Sequence, residues 1–131
     1  MIRIRYSATP SIEIEIGGTT ADFVALREAL RSVSSDEVEF PVDAQFDPAP
    51  YTQALAGLRL QKTSDLLSIS VRESTLCIAG RPDLLELFGE NLPYDVEESS
   101  SSGPYHIHFD GIGREEYVAE DSLDVVLTLK D

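Results

Sequence analysis

The opening MIRIRYSATPSIEIEI alternates apolar and charged side chains twice, and this pattern constrains the chain more than any other. Ile2, Ile4 and Tyr6 take one side of an extended backbone and Arg3 and Arg5 the other; Ile12, Ile14 and Ile16 alternate likewise with Glu13 and Glu15. A period of two matches the pleat of a strand and no helical repeat, so both segments read as strands with one dry and one wet face. A turn about Ala8-Thr9-Pro10 sets Arg5 opposite Glu13 and Arg3 opposite Glu15. Such cross-strand charge pairs add roughly a few tenths of a kcal/mol each. The dry face of this hairpin needs a cover, which the rest of the chain must supply.

Gly17-Gly18 ends the second strand, and Thr19 or Thr20 can cap a helix. Phe23, Val24, Leu26, Leu30 and Val33 then recur at helical spacing, and the helix is expected to stop near Ser34-Ser35-Asp36. Val38, Phe40 and Val42 suggest a short strand in which Pro41 favours an edge position. The stretch from Gln45 to Gly57 reads as loop with about one helical turn. Three strands follow, Leu58 to Lys62, Leu66 to Arg72 and Thr75 to Ala79. Then Gly80 and Pro82 open a helix whose apolar face is Leu84, Leu85, Leu87 and Phe88. Glu97 to Pro104 is a polar loop, and "YHIHFD" and "LDVVLTLK" are the last two strands. The expected architecture is one α+β domain over 1–131, a two-layer arrangement of a mostly antiparallel β-sheet with two α-helices packed on one face.

Two segments echo one another. "IEIGGTTADFVALREAL" aligns with "LCIAGRPDLLELFGENL", placing Ile16 on Ile78, Gly18 on Gly80 and Leu26 on Phe88. Strand, glycine, helix is a common succession, and two copies are too few for a repeat architecture, so coincidence is the expectation.

Size and composition exclude several classes. A chain of 131 residues with 42% hydrophobic and 26% charged residues can build a core and is not of disordered composition. No apolar run nears the ~20 residues that span a bilayer, and the alternating start does not resemble a secretion signal. The single cysteine, Cys77, allows no internal disulfide and suits a reducing cytoplasm. Twenty-four acids stand against ten Lys and Arg, a net charge of −14. The excess clusters: five acids and no Lys or Arg from Ser32 to Leu58, and nine acids with only Arg114 from Asp95 to Asp124. Such a field repels nucleic acid and anionic membrane and speeds encounter with a cationic protein, although acidity also serves solubility alone.

The sharpest chemical lead is His106-x-His108-x-Asp110, three polar groups on one face of a strand. Imidazole and carboxylate are metal ligands, and Glu115 or Glu116 could complete a set for a small metal-dependent hydrolase. The same letters also describe the wet side of a sheet, and a chain with two histidines lacks the further ones that metallo-β-lactamase-type hydrolases use. Cys77 between Leu76 and Ile78 reads as an inert packed thiol. No Gly-x-Ser-x-Gly setting occurs, and Gly111 to Gly113 is too short for a phosphate loop. Carboxylate pairs such as Glu115-Glu116 and Glu120-Asp121 are too numerous for one to stand out as acid and base.

From about Leu66 onward the chain resembles the bacterial immunity proteins of the Imm32 type. The likeness rests on "TLCIAGRPDLLELFGENL", then "YHIHFDGIGREEYVAEDSLDVVLTL", with His106, His108, Tyr117, Asp121, Ser122 and Leu123 in order. The resemblance implies a non-enzymatic cytoplasmic protein without cofactor that binds and neutralises a cognate toxin of basic surface. Tyr105, His106, His108, Asp110, Glu115, Glu116 and Tyr117 form the candidate contact patch, and the loop around Asp47 to Tyr51 is a second. The alternatives are the metal-dependent enzyme and an acidic adaptor domain without a toxin partner.

Overall fold

A computed structural model describes residues 1–33, 36–93, 105–110, 114 and 116–130. The polar run Glu97 to Pro104, the stretch Gly111 to Gly113, Glu115, Ser34, Ser35 and the side chain of Tyr105 lie outside the described residues. In chain order the elements are β1 (Arg3–Ser7), β2 (Glu13–Gly18), α1 (Thr20–Arg31), β3 (Glu37–Phe40), β4 (Gln53–Ala54), β5 (Gly57–Lys62), β6 (Ser68–Arg72), β7 (Thr75–Gly80), α2 (Pro82–Glu90), β8 (Tyr105–Phe109) and β9 (Val125–Leu129). This is the two-layer α+β class that the alternation implied, with most strand junctions antiparallel. The strands divide, however, between two mixed sheets, ordered β4-β1-β2-β9-β8 and β3-β5-β7-β6. Each contains one parallel junction, β2 with β9 and β5 with β7. Among the described residues no helix is long and apolar enough to cross a membrane.

The first hairpin forms with its faces as expected and its register displaced. Arg5 lies opposite Glu15, Arg3 opposite Gly17 and Ser7 opposite Glu13. A shift of two residues keeps every side chain on its original face, which is why alternation alone could not distinguish the two registers. Ala8 to Ile12 becomes the connection, and Ile12, expected on the dry face, is 51% exposed there. Pro41 falls just outside β3, and the expected helical turn before Gly57 is replaced by the short strand β4 against β1.

The echo between the halves is structural, not coincidental. Each half is a hairpin, a helix and a second antiparallel pair, and each second pair adds to the other half's sheet. Thus β9 joins β2 with Leu127 beside Ile16, and β5 joins β7 with Leu60 beside Ile78. Connections outside the strands repeat too. Lys130 N–H donates to Gly18 O at 2.8 Å, as Thr63 N–H does to Gly80 O at 2.9 Å. Asp43 N–H donates to Ile2 O and Ala119 N–H to Leu67 O, both at 2.8 Å. Isolated bridges join Ile2 to Val42 and Leu67 to Val118. The paired glycines share one physical cause. A Cβ on Gly18 would stand 2.9 Å from Ile2 Cδ1, so that side chain would have to shift, and one on Gly80 would stand 3.1 Å from the backbone at Leu67 Cα, tighter than most packed contacts.

One core spans both halves. Phe23, Leu26 and Leu30 of α1 and Leu84, Leu85 and Phe88 of α2 are buried with Ile4, Ile16, Leu60, Ile78 and Leu127 from the sheets. Val24, expected on the apolar face of α1, is instead exposed. The helices start differently. Thr19 accepts from Asp22 N–H while the Asp22 carboxylate accepts from Thr19 N–H, a reciprocal capping box. Arg81 caps α2 without a side-chain bond, and Pro82 sets the first turn.

Candidate binding surface

β8 is an edge of the first sheet, paired only with β9 among the described strands. Its register sets His106 opposite Thr128 and His108 opposite Val126, so both imidazoles share the wet face with Glu13 and Glu15 of β2 and Arg5 of β1. The other face holds Phe109, buried edge-on against Phe88 with ring centroids 4.9 Å apart. The equivalent strand in the second sheet is β3. There Glu37-Val38-Glu39-Phe40 lies opposite Gln61, Leu60, Arg59 and Leu58 in the same register. His-Ile-His-Phe therefore occupies the position of Glu-Val-Glu-Phe. A polar-x-polar row at this site is a property of the fold before it is a ligand set.

His106 belongs to a hydrogen-bonded chain. The Thr128 hydroxyl donates to Glu15 Oε2 at 3.2 Å, and His106 Nδ1 lies 3.0 Å from the same hydroxyl oxygen. With the hydroxyl proton directed at Glu15, the imidazole donates from Nδ1. Glu15 also receives Arg5 Nη1 at 2.9 Å and Lys130 Nζ at 3.3 Å. The Arg5 and Glu15 side chains are only 13% and 12% exposed, so this is an interior pair rather than a surface one.

Asp110 turns to a different partner. Arg114 Nη1 donates to the Asp110 carbonyl at 3.0 Å and lies 3.4 Å from its carboxylate, with the guanidinium carbon 4.7 Å above the Phe109 ring. Among the described residues no three His, Cys, Asp or Glu side chains stand close enough to hold a metal ion. Glu115, one of the residues that could complete a ligand set with this row, lies outside the described residues. Cys77 is buried on β7, at the position equivalent to Glu15.

His108 and Asp110 border a recess of about 190 Å³ whose rim also carries Ile12, Glu13, Tyr51 and Asp124. Tyr51 is placed by a turn in which its N–H donates to Pro48 O at 2.9 Å, while Asp47 Oδ1 accepts from Ala49 N–H. Burial raises the Tyr51 phenol above its ordinary value, and the Glu15 and Glu13 carboxylates raise it further against the opposing effect of Arg5. The two patches expected from sequence, the β8 strand and the Asp47–Tyr51 loop, therefore meet here. Sequence reasoning missed Glu13 and Asp124, which it left among many acids, and Ile12, whose exposure depends on the hairpin register.

Glu116 and Tyr117 stand on a separate support. Tyr117 O accepts from Leu67 N–H at 2.8 Å, at the entrance to β6 in the second sheet. Both side chains are exposed, Tyr117 by 41%. The expected seven-residue patch is thus carried by two supports, with Glu115 and the Tyr105 side chain outside the described residues. No family model, curated protein or solved structure matches this chain.

Proposed function

We propose that the chain is an immunity-type inhibitor that binds a basic bacterial toxin stoichiometrically in the cytoplasm and performs no chemistry. The observation that carries this reading is the surplus of carboxylates. Ten Lys and Arg cannot neutralise 24 acids, so even complete pairing leaves a charge of −14 to face solvent or a partner. A field of that sign steers a cationic protein toward its partner and discriminates against nucleic acid. The exposed Tyr117 supplies an aromatic anchor of the kind that dominates protein interfaces. The sequence resemblance to Imm32-type proteins from about Leu66 onward points the same way, and the reading rests on charge and pattern rather than on a family match.

The test is co-expression with any toxin domain that the adjacent gene encodes. The expected result is restored growth and a one-to-one complex on size exclusion. Tyr117→Ala and Glu116→Lys should weaken protection by about tenfold or more while circular dichroism stays unchanged. A folded parent protein that leaves the toxin fully active would refute the proposal.

A further inference from the structure

Among the described strands the two sheets have four edges, and three of them are closed to further strands. At one end of the first sheet β4 is only two residues long, and the Asp43 and Leu55 N–H groups donate to Ile2 O and Ile4 O along the outer side of β1. The β6 edge of the second sheet is covered by residues 117–123. There Leu67 N–H donates to Tyr117 O, Ile69 N–H to Ser122 Oγ and Leu123 N–H to Ile69 O, each at 2.8 Å. At the opposite edge, β3 carries the carboxylates of Glu37 and Glu39 and stops before Pro41, features that discourage edge-to-edge pairing. β8 has none of these protections. It runs for five residues, contains no acid, Lys or Pro, and among the described residues no backbone group outside β9 pairs with it.

The letters of β8 are also self-complementary. Tyr105-His106-Ile107-His108-Phe109 reads as aromatic, His, Ile, His, aromatic in either direction. An antiparallel copy centred on Ile107 sets position 105 opposite 109, His106 opposite His108 and Ile107 opposite itself, the pairing that a twofold axis imposes. Imidazoles tolerate facing one another because, unlike carboxylates, they need not be charged near neutral pH. Ile107 is half-buried at the open edge, on the same side as Phe109, and a second Ile107 would extend its cover. β3 supplies the contrast. The same operation about Val38 would set Glu37 against Glu39 twice, and like charges directly opposite destabilise a sheet. We propose that two copies of this chain associate edge to edge through β8, joining their first sheets into one. The dimer is independent of the inhibitor reading and leaves the outer faces of both sheets open. Two chains of −14 repel each other, so association strengthens as salt screens them.

Sedimentation equilibrium of the full chain is the test. The expected result is a reversible monomer–dimer equilibrium that tightens between about 0.05 and 0.5 M NaCl. His106→Glu/His108→Glu, which gives β8 the acidic pattern that β3 already accommodates, should weaken association by at least about tenfold. Ala21→Glu/Ala25→Glu, at exposed positions of α1, adds the same charge and should weaken it by less than about threefold. A second pair of variants reads the register directly. In a Cys77→Ala background, Ile107→Cys should give a disulfide-linked dimer under mild oxidation, because directly opposed strand residues lie within the roughly 4.4–6.8 Å that a disulfide spans, and Val38→Cys should not. If the double glutamate variant of β8 does not fold, this cross-link decides alone. A parent chain that is monomeric up to its solubility limit, equal loss or no loss in the two glutamate variants, or cross-linking at Val38 as readily as at Ile107 would overturn the proposal.

Discussion

The strands β3 and β8 occupy equivalent places in two sheets of the same construction, yet their surfaces differ. On β3, Glu39 is held by Arg59 at 2.8 Å and Glu37 lies 3.7 Å from the same guanidinium, so the acids find their cation on the neighbouring strand. On β8, His106 leads through Thr128 to Glu15, and His108 opens onto a recess whose lining supplies no Lys or Arg. The connections diverge as well. Pro41 alone separates Phe40 from the bridge residue Val42, whereas Asp110 to Tyr117 intervene between Phe109 and Val118. Positions where the repeats agree, such as Gly18 with Gly80 and Ile16 with Ile78, hold the fold together. Positions where they disagree gather at β8 and its following segment, where function has room to be written.

The comparison breaks most visibly if the halves fold separately. Phe88 of α2 packs on Phe109, which sits in the first sheet, so the crossed topology ties both halves into one core. Phe88→Ala should cost about 3–5 kcal/mol and shift a single urea transition. Two resolved transitions by circular dichroism and tyrosine fluorescence would show the halves to be independent. A smaller effect separates Glu15 from its counterpart Cys77. Removing Glu15 strands the largely buried Arg5, so Glu15→Ala should cost about 2–3 kcal/mol, below the 3–5 of a fully buried pair. Cys77→Ala, which leaves no charge unpaired, should cost about 1 kcal/mol or less by the same urea assay.

The smallest effect distinguishes the helix starts. Burial pushes the Asp22 carboxyl up, but the Thr19 N–H, the Met1 amine and the Thr19 hydroxyl together hold it below its ordinary value near 3.8. A carboxyl depressed in the folded state stabilises fully above that ordinary value, and the contribution disappears as pH falls through the lower folded value. Asp22→Asn should therefore cost about 0.5–1 kcal/mol near neutral pH, and the difference from the parent should vanish in strong acid. A difference that persists below about pH 2 would place the effect elsewhere.

Much of the fold was legible because its strands are half-buried and alternate strictly. Ile2-Arg3-Ile4-Arg5 and Leu67 to Arg72 could be assigned to faces from their letters, and Thr19 and Pro82 marked helix starts by their capping chemistry. The β2–β9 junction was not legible, because pairing Ile16 with Leu127 depends on tertiary packing across nearly the whole chain. The alignment of Gly18 with Gly80 was visible but read as coincidence, and the repeat was hidden at β3 and β8, where glutamate and histidine answer the same geometric demand. The recess was half legible: Tyr51 and His108 stood out, while their meeting depends on where the Pro48–Tyr51 turn lands.

The equivalence of the sheets provides its own control for the central claim, that a basic partner is met at the β8 face. Glu13→Lys/Asp124→Lys and Glu37→Lys/Glu39→Lys change net charge by the same amount on matching sheets. Growth protection in the toxin co-expression assay, measured for both folded variants, should fall by about a hundredfold for the first pair and stay within about threefold of the parent for the second. Equal loss in both would reduce the effect to overall charge, and loss only in the second would place the interface on the other sheet; either result contradicts the account.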